Sequence, residues 1–205
     1  MQLLCFPVLS SNGSEDYSLA SSRKLLAHLM SRLWVFFSQM DQNLSQQKWE
    51  AKVSTRLEKA KPHQIWPLFE DFFGVHKWFP SLPTSQGIHG ANGEPGCIRY
   101  CSGFGLKREQ NANESSSSVS WSKERLVALN RAKMTFTYEM VDCNIGFKSY
   151  ISTIKVVPGD GGDVVEWSIS LDPVAGWELR DLVAKYEVGL QLMVEKMEAA
   201  IFESS

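Results

Sequence analysis

An alternation of apolar and polar residues is the strongest pattern along the chain. From Lys48 to Glu58, apolar or small residues occupy every second position, and charged or hydroxyl residues lie between them. A similar alternation returns over residues 133–140 and 164–171. Side chains on a β-strand point to opposite faces in turn, so this pattern predicts half-buried strands with one face on a core and the other in water.

Two segments have the spacing of amphipathic helices instead. The first begins at Pro62, which suits the first turn of a helix, and Pro67 and Gly74 limit it to short helical pieces. The second runs from Trp177 to Phe202 and is interrupted by Gly189, which predicts a close approach to the sheet or a bend. The apolar stripe of this second helix comprises Leu179, Leu182, Val183, Tyr186, Leu190, Met193, Val194, Met197 and Ile201.

Turn-forming and polar stretches divide the rest of the chain into short strands. These further strands are predicted at Ser85–His89, Cys97–Gly103, Val119–Leu129 and Phe147–Val157. The order is therefore strand, helix pair, about six antiparallel strands and a long helix. A strongly bent sheet needs its open face covered, and only the final helix is long enough to do so. The predicted fold class is α+β of the helix-grip type: a curved antiparallel sheet wrapped around a long C-terminal helix, with two short helices, enclosing a hydrophobic cavity.

Residues 1–47 differ from the rest and are interpreted as an N-terminal extension, expected to be poorly ordered, ahead of a ligand-cavity domain over residues 48–205. The start is rich in serine and lacks the basic residues that begin a secretory signal. Three interpretations of the extension remain open. It is an organelle transit peptide, against which Glu15 and Asp16 count; or it forms an amphipathic helix lying on a surface; or it is a dispensable leader before a working protein that starts near Met40.

Composition excludes several functional classes. The net charge is −2 without a basic or acidic block, whereas nucleic-acid binding needs a clustered cationic surface. The apolar stretch in the extension is too short and too charged to span a bilayer. None of the four cysteines forms a CxxC pair and the four histidines are scattered, so we predict no metal site. No dinucleotide, phosphate-binding or GxSxG motif occurs, so we predict no cofactor. Separately, we expect a cytoplasmic protein unless the extension targets an organelle.

Seven tryptophans and eleven phenylalanines are many for a chain of 205 residues. Aromatic side chains form large apolar walls, which suit either a core or a lined cavity. The expected partner is therefore a small apolar or amphipathic molecule, and the sequence does not indicate a protein partner. The residues predicted to contact this ligand are Trp66, Trp78, Phe104, Phe136, Tyr138, Trp167 and Tyr186.

Three polar residues fall on strand faces that the alternation turns inward. Glu124 shares a face with Leu126 and Ala128, while Arg99 and Tyr150 lie on the inward faces of two other predicted strands. A buried carboxylate has to be paired or protonated, and an arginine partner would keep it ionised and oriented. Such a group permits acid–base chemistry, but a salt bridge that merely braces the sheet has the same pattern.

Several strings carry a resemblance to a known family. They are GCIRY at residues 96–100, WSKERLVAL at residues 121–129 and GFKSYISTIKV at residues 146–156, with FEDFFGVHKWFPSL upstream at residues 69–82. Together with the element order, they resemble the START-like, or birch-pollen-allergen (polyketide cyclase), superfamily, and within it the plant lachrymatory factor synthase family. The resemblance covers nearly all of residues 49–202 and leaves the extension unmatched.

What the resemblance implies is a cofactor-free enzyme. The family's catalytic arginine, glutamate and tyrosine fall on Arg99, Glu124 and Tyr150, one in each string. The implied reaction isomerises a small sulfenic acid to a thial S-oxide by proton transfer, with Arg99 holding the S–O group, Glu124 moving the proton and Tyr150 bonding the same oxygen. A non-catalytic carrier or sensor of a small hydrophobic metabolite or hormone remains the alternative, because fold alone does not give function. A purely structural role would instead predict a cavity filled by the chain's own aromatic side chains.

Overall fold

The computed structural model describes residues 28–36, 47–103 and 119–203. The chain divides into two units, residues 1–46 and 47–205. In the first unit, residues 28–36 form a helix, α1, most of whose large apolar side chains are exposed. Within the described part of the chain, no helix is both long and apolar enough to cross a lipid bilayer.

The second unit is built on one antiparallel sheet of seven strands. The strands are β1 (Trp49–Arg56), β2 (Thr84–His89), β3 (Ile98–Ser102), β4 (Trp121–Asn130), β5 (Thr135–Cys143), β6 (Ile151–Val157) and β7 (Val164–Leu171). Their order across the sheet is β1-β7-β6-β5-β4-β3-β2, so β1 and β2 are the two edges. The long connection between these edge strands contains the short helices.

Two short helices lie between β1 and β2, and a long one ends the chain. The helix α2 (Pro62–Glu70) begins with proline in its first turn, and the Gln64 side chain accepts a hydrogen bond from the Lys61 backbone N–H at 2.8 Å. A 3₁₀ helix (Phe72–Lys77) follows at once. The long helix α3 (Leu179–Glu203) contacts both β1 and α2.

The core lies between the sheet and the helices. Alternate residues of β7, from Val165 to Leu171, are buried, and the residues between them are partly exposed. From α3, Leu182, Leu190 and Met193 are buried against this layer. The alternation in the strands and the stripe on the last helix therefore face each other, as a two-layer domain requires.

Gly189 of α3 permits one close contact in this layer. A Cβ atom at that position would lie 2.8 Å from Cζ of Phe79, which is closer than real Cβ atoms come to other atoms. Phe79 in turn packs edge-on against Trp167 of β7, with ring centroids 6.1 Å apart. The glycine thus lets the segment after the 3₁₀ helix, rather than the sheet, approach α3.

The predicted fold class is confirmed, including the curved antiparallel sheet, the two short helices and the long C-terminal helix. The strand predicted from Phe147 is shorter, because β6 begins only at Ile151. Gly146 and Ser149 have positive φ angles of 80° and 51°, so the chain turns there before it can enter the sheet. Similarly, β5 begins at Thr135 because Met134 has a φ of 47°.

Candidate functional site

A cavity of about 530 Å³ lies between the sheet and α3. Most of its wall is apolar, and its polar groups are few. Exposed residues of α3, among them Lys185, Val188 and Leu192, also border it, so the cavity opens beside this helix. The strands and the segment before β6 contribute Arg99, Cys101, Glu124, Tyr138, Met140, Ile145, Phe147, Tyr150 and Trp167 to the lining.

Arg99 and Glu124 form a buried ion pair in the cavity wall. The two residues stand directly opposite each other in the register of β3 and β4, so their side chains leave the same face of the sheet. Arg99 Nε donates to Glu124 Oε2 at 2.8 Å, and Nη2 lies 2.7 Å from the same oxygen as an ion pair. Arg99 is 5% exposed and Glu124 8%, so both charges are almost completely removed from water.

Further contacts fix each member of the pair. Arg99 Nη1 donates to the backbone oxygen of Phe72 at 2.7 Å, and the guanidinium carbon lies 4.0 Å from the centre of the Phe72 ring. The Ser122 hydroxyl donates to Glu124 Oε1 at 2.9 Å. The two hydrogen bonds of Arg99 leave at most three of its five N–H groups for a ligand.

The electrostatics keep Arg99 charged and nearby weak acids neutral. Burial alone would lower the pKa of Arg99, but the adjacent Glu124 carboxylate more than offsets this and raises it above its usual value. Burial, and next the Glu124 carboxylate, raise the pKa of Cys101 to about 12. The Cys101 thiol in the cavity wall is therefore protonated at neutral pH and is not an activated nucleophile.

Three phenols form a second polar group, which we call the tyrosine chain: Tyr138, Tyr150 and Tyr186. The Tyr150 hydroxyl lies 2.7 Å from that of Tyr186 and 3.4 Å from that of Tyr138, the second being a long contact. Burial is the main cause that raises the pKa of all three well above the usual value of tyrosine. All three hydroxyls are therefore protonated and able to donate.

Each phenol comes from a different element. Tyr138 is on β5, and its register partner is Ser152 of β6. Tyr150 directly precedes β6, after the left-handed turn at Ser149. Tyr186 reaches over from α3 and packs edge-on against the Trp167 ring, with centroids 4.7 Å apart. The site thus combines sheet residues with one phenol from the covering helix.

The structure brings six of the predicted site residues to this cavity: Arg99, Glu124, Tyr138, Tyr150, Trp167 and Tyr186. Trp78 and Phe136 line a smaller void of about 30 Å³ on the other side of Arg99 and Tyr138. Trp66 is not among the described residues that line either space. It is buried in the core, and its indole N–H donates to Glu70 Oε1 at 2.5 Å. Phe104 lies outside the described residues. Whether any of these residues contacts a ligand stays a prediction.

Several residues that line the cavity or contact the ion pair were not among those singled out from the sequence. Ser122 was missed although it lies two positions before Glu124, and the period of two would have placed it on the same face. Phe79 and the residues that follow it, up to Leu82, come from a segment without regular periodicity, so no pattern marked them. The mouth residues Val188 and Leu192 lie on the outer side of the helical stripe, where an apolar residue carries no signal of its own.

Comparison with known proteins fits this architecture. In the solved structures, the ginseng (Panax ginseng) major latex-like protein 151 matches with a TM-score of 0.58 at 18% identity, covering 75% of this chain and 97% of that protein. The protein XoxI from Bacillus cereus matches with a TM-score of 0.53 at 19% identity, covering 76% of this chain and 95% of the other. At these identities the matches establish the shared fold alone, which is that of the START-like, or birch-pollen-allergen, superfamily.

A family model gives the assignment at the sequence level. The model described as polyketide cyclase / dehydrase and lipid transport matches residues 48–199, about three quarters of the chain. Its match spans all seven strands and nearly all of α3, and therefore every residue that forms the cavity. The chain belongs to the polyketide cyclase / dehydrase and lipid transport family.

Proposed function

We propose that the chain is a cofactor-free isomerase of the lachrymatory factor synthase type, which moves a proton within a small sulfenic acid or a similar substrate. The observation that carries this proposal is the Arg99–Glu124 pair, in which a carboxylate is held at an apolar cavity wall by a hydrogen bond and a close ion-pair contact from one guanidinium. A salt bridge that only braced the sheet would have no reason to border a cavity of about 530 Å³.

The reaction requires one proton to move from oxygen to carbon. Glu124 accepts the O–H proton of the sulfenic acid as that bond breaks, and returns it to the second alkenyl carbon as the new C–H bond forms. The double bond moves from C=C to C=S, so atoms and charge balance and the carboxylate is regenerated. Oε1 of Glu124 is the oxygen for this step, because Oε2 already accepts from Arg99 Nε and lies 2.7 Å from Nη2.

Arg99 and Tyr150 are assigned supporting roles at the oxygen of the substrate. Arg99 orients Glu124 and has at most three further N–H groups for the S–O group. The Tyr150 hydroxyl, at the centre of the tyrosine chain, donates to the same oxygen as negative charge develops there.

The test is Glu124→Gln. Glutamine has nearly the same shape; its amide oxygen can still accept from Arg99 and its NH₂ group can donate to the Ser122 hydroxyl, but it cannot take up the proton. With a short alkenyl sulfenic acid released in the assay by β-elimination from a cysteine sulfoxide, we expect formation of the thial S-oxide to fall at least ~100-fold. The matched control is Glu139→Gln on β5, because Glu139 pairs with Arg125 on the outer, exposed side of the sheet.

A Glu124→Gln variant that turns over the sulfenic acid at the rate of the unaltered protein would remove this mechanism. The fold of each variant is compared by near-ultraviolet circular dichroism, so that loss of turnover is separated from loss of structure.

One observation favours the alternative, a carrier of a small hydrophobic metabolite. The cavity has the volume of a site for drug-sized ligands and is mostly apolar. Native mass spectrometry of the protein purified from plant cells separates the two functions. A stably bound apolar molecule without turnover favours the carrier, and an empty cavity with turnover favours the enzyme.

A further inference from the structure

The helix α1, residues 28–36, presents large apolar side chains to solvent. Leu29 and Leu33 are 51% and 50% exposed, and Met30 and Trp34 are 65% and 74% exposed. Residues four apart are neighbours on the surface of a helix, so these two pairs form one continuous surface, which we call the α1 apolar face. Single exposed apolar residues are ordinary on a protein, but four large ones that adjoin on one helix face indicate an interaction site.

The other side of α1 is mostly polar. His28 and Arg32 are also four residues apart, and the Ser31 hydroxyl beside them donates to the backbone oxygen of His28 at 2.8 Å. Val35 is the one apolar residue that the helical spacing places on this side. The helix is therefore amphipathic, with a cationic residue opposite a broad apolar face.

The α1 apolar face is a source of stability that the helix has not yet used. Isolated helices shorter than about 12–15 residues are marginal in water, and helices in proteins gain most of their stability by burying an apolar face. The apolar face of α1 is half or more exposed along the whole helix. The helix also lies outside residues 48–199, which the family model matches, so the cavity domain does not account for its composition. An apolar surface that accepts this face would stabilise the helix.

The charge of the surrounding sequence indicates which surface this is. Residues 17–40 contain no aspartate or glutamate, whereas Arg23, Lys24 and Arg32 are cationic, in a chain whose net charge is −2. A second copy would bring the same cations together, and like charges repel each other. Anionic lipid headgroups attract them instead, by about 5-fold in affinity for each lysine or arginine near the surface. Leucine and tryptophan opposite a cationic side are typical of helices that lie in a membrane interface.

We propose that α1 binds reversibly to an anionic lipid surface and thereby attaches the cavity domain to a membrane. The α1 apolar face enters the boundary between the headgroups and the acyl chains, and Arg32 lies at the level of the lipid phosphates. Binding is reversible because one short helix supplies a single membrane signal, whereas stable anchoring takes two. This role selects the surface-lying helix from the three interpretations of the extension, and it does not depend on the proposed isomerase function.

The test is sedimentation of the full-length protein with vesicles of about 70% phosphatidylcholine and 30% phosphatidylserine in ~0.1 M salt. Leu33→Glu puts a charge into the α1 apolar face and should lower the partition coefficient at least ~10-fold, and Leu29→Glu should do the same. Arg32→Gln should lower it about 5-fold on these vesicles and leave binding to pure phosphatidylcholine unchanged. In ~1 M salt, where the Debye length is about 3 Å, the effect of Arg32→Gln should disappear.

Insertion is separated from adsorption by the fluorescence of Trp34, taken as the difference between the unaltered protein and Trp34→Phe. This emission should shift to shorter wavelength when the anionic vesicles are added, since the indole leaves water. The matched control is Val127→Glu, which changes an apolar residue of β4 that is 47% exposed and should bind vesicles like the unaltered protein.

Three results would overturn the proposal. The first is the absence of vesicle binding, or binding that Leu29→Glu and Leu33→Glu leave unchanged. The second is a lipid-free dimer that Leu33→Glu dissociates, which would assign the α1 apolar face to a second copy of the chain. The third is an intact mass of the protein from plant cells that places the mature N-terminus after residue 36, because the working protein would then lack α1.

Discussion

Removing Arg99 tests how completely the ion pair is desolvated. In Arg99→Met, the methionine replaces the aliphatic stem, but Glu124 is left buried without its cation and the backbone oxygen of Phe72 loses a donor. Breaking one side of a buried pair typically costs about 3–5 kcal/mol of the free energy of unfolding, which is a large part of the ~5–15 kcal/mol of a typical domain. We therefore expect Arg99→Met to unfold at a much lower urea concentration than the unaltered protein.

The double variant Arg99→Met/Glu124→Leu removes both charges together. Replacing a buried pair by apolar groups is often neutral or stabilising by about 1–4 kcal/mol. Against this, the Phe72 oxygen and the Ser122 hydroxyl each lose a hydrogen-bond partner, which costs about 1–3 kcal/mol of the free energy of unfolding for each group. We expect the double variant to be within about 2 kcal/mol of the unaltered protein, and the coupling energy to be several kcal/mol. Urea unfolding is followed by tryptophan fluorescence. If the losses of stability in the Arg99→Met and Glu124→Leu single variants simply add in the double variant, or if Arg99→Met costs less than about 1 kcal/mol, the ion pair is not desolvated.

Three further predictions concern stability. Glu198 of α3 is buried, and its Oε1 accepts hydrogen bonds from the backbone N–H groups of Lys59 and Ala60 at 2.8 Å each. In urea unfolding, Glu198→Ala should therefore lower the free energy of unfolding by about 3–5 kcal/mol. The control Glu195→Ala, at an exposed position on the same helix, should lower it by less than about 0.5 kcal/mol. Gly189→Ala should destabilise the protein by about 1–3 kcal/mol, because the new Cβ atom meets the Phe79 ring. In a protein that already carries Phe79→Leu, the same change should stabilise by up to about 1 kcal/mol, because alanine favours a helix more than glycine does. Stabilisation in both backgrounds would contradict the contact between Gly189 and Phe79. The raised pKa values of the tyrosine chain mean that the folded state retains protons that the unfolded state loses above about pH 10. The free energy of unfolding should therefore be unaffected by these phenols at lower pH, and should fall above about pH 10 by up to ~1.4 kcal/mol per pH unit for each phenol. Replacing one phenol by phenylalanine should reduce this slope.

The sequence was most informative where one local rule decides the outcome. The alternation around Glu124 placed its side chain on the inward face, and the same rule placed Arg99 inward on its own strand. It could not give the register that sets the two residues opposite each other, because register depends on how neighbouring strands pair. The pairing of the two charges was therefore predicted as a possibility, and the structure supplies its geometry.

The tyrosine chain illustrates what a local pattern cannot give. Tyr186 belongs to the apolar stripe of α3, and nothing in that spacing indicates that its hydroxyl bonds to Tyr150, which precedes a strand far away in the sequence. Trp66 shows the reverse case, since it was predicted to contact the ligand, and the structure places it in the core beside Phe136 and not among the described lining residues of the cavity. In both cases the position of a helix over the sheet determines what the side chain contacts, and this position depends on the packing of the whole domain.

The position of the cavity argues against a purely structural role for the ion pair. An unfilled apolar space and a desolvated pair of charges each oppose stability, because the first forfeits packing contacts and the second loses hydration. A chain shaped by stability alone would fill the space with its own side chains, and six aromatic residues are present in the described lining to do so. Instead, Gly189 leaves room for Phe79 beside α3, Tyr150 follows the turn at Ser149, and the only buried charges in the described lining lie together in its wall. Two destabilising features that share one wall are explained most simply by a molecule that enters the cavity and reacts with, or is held by, Glu124 and its neighbours.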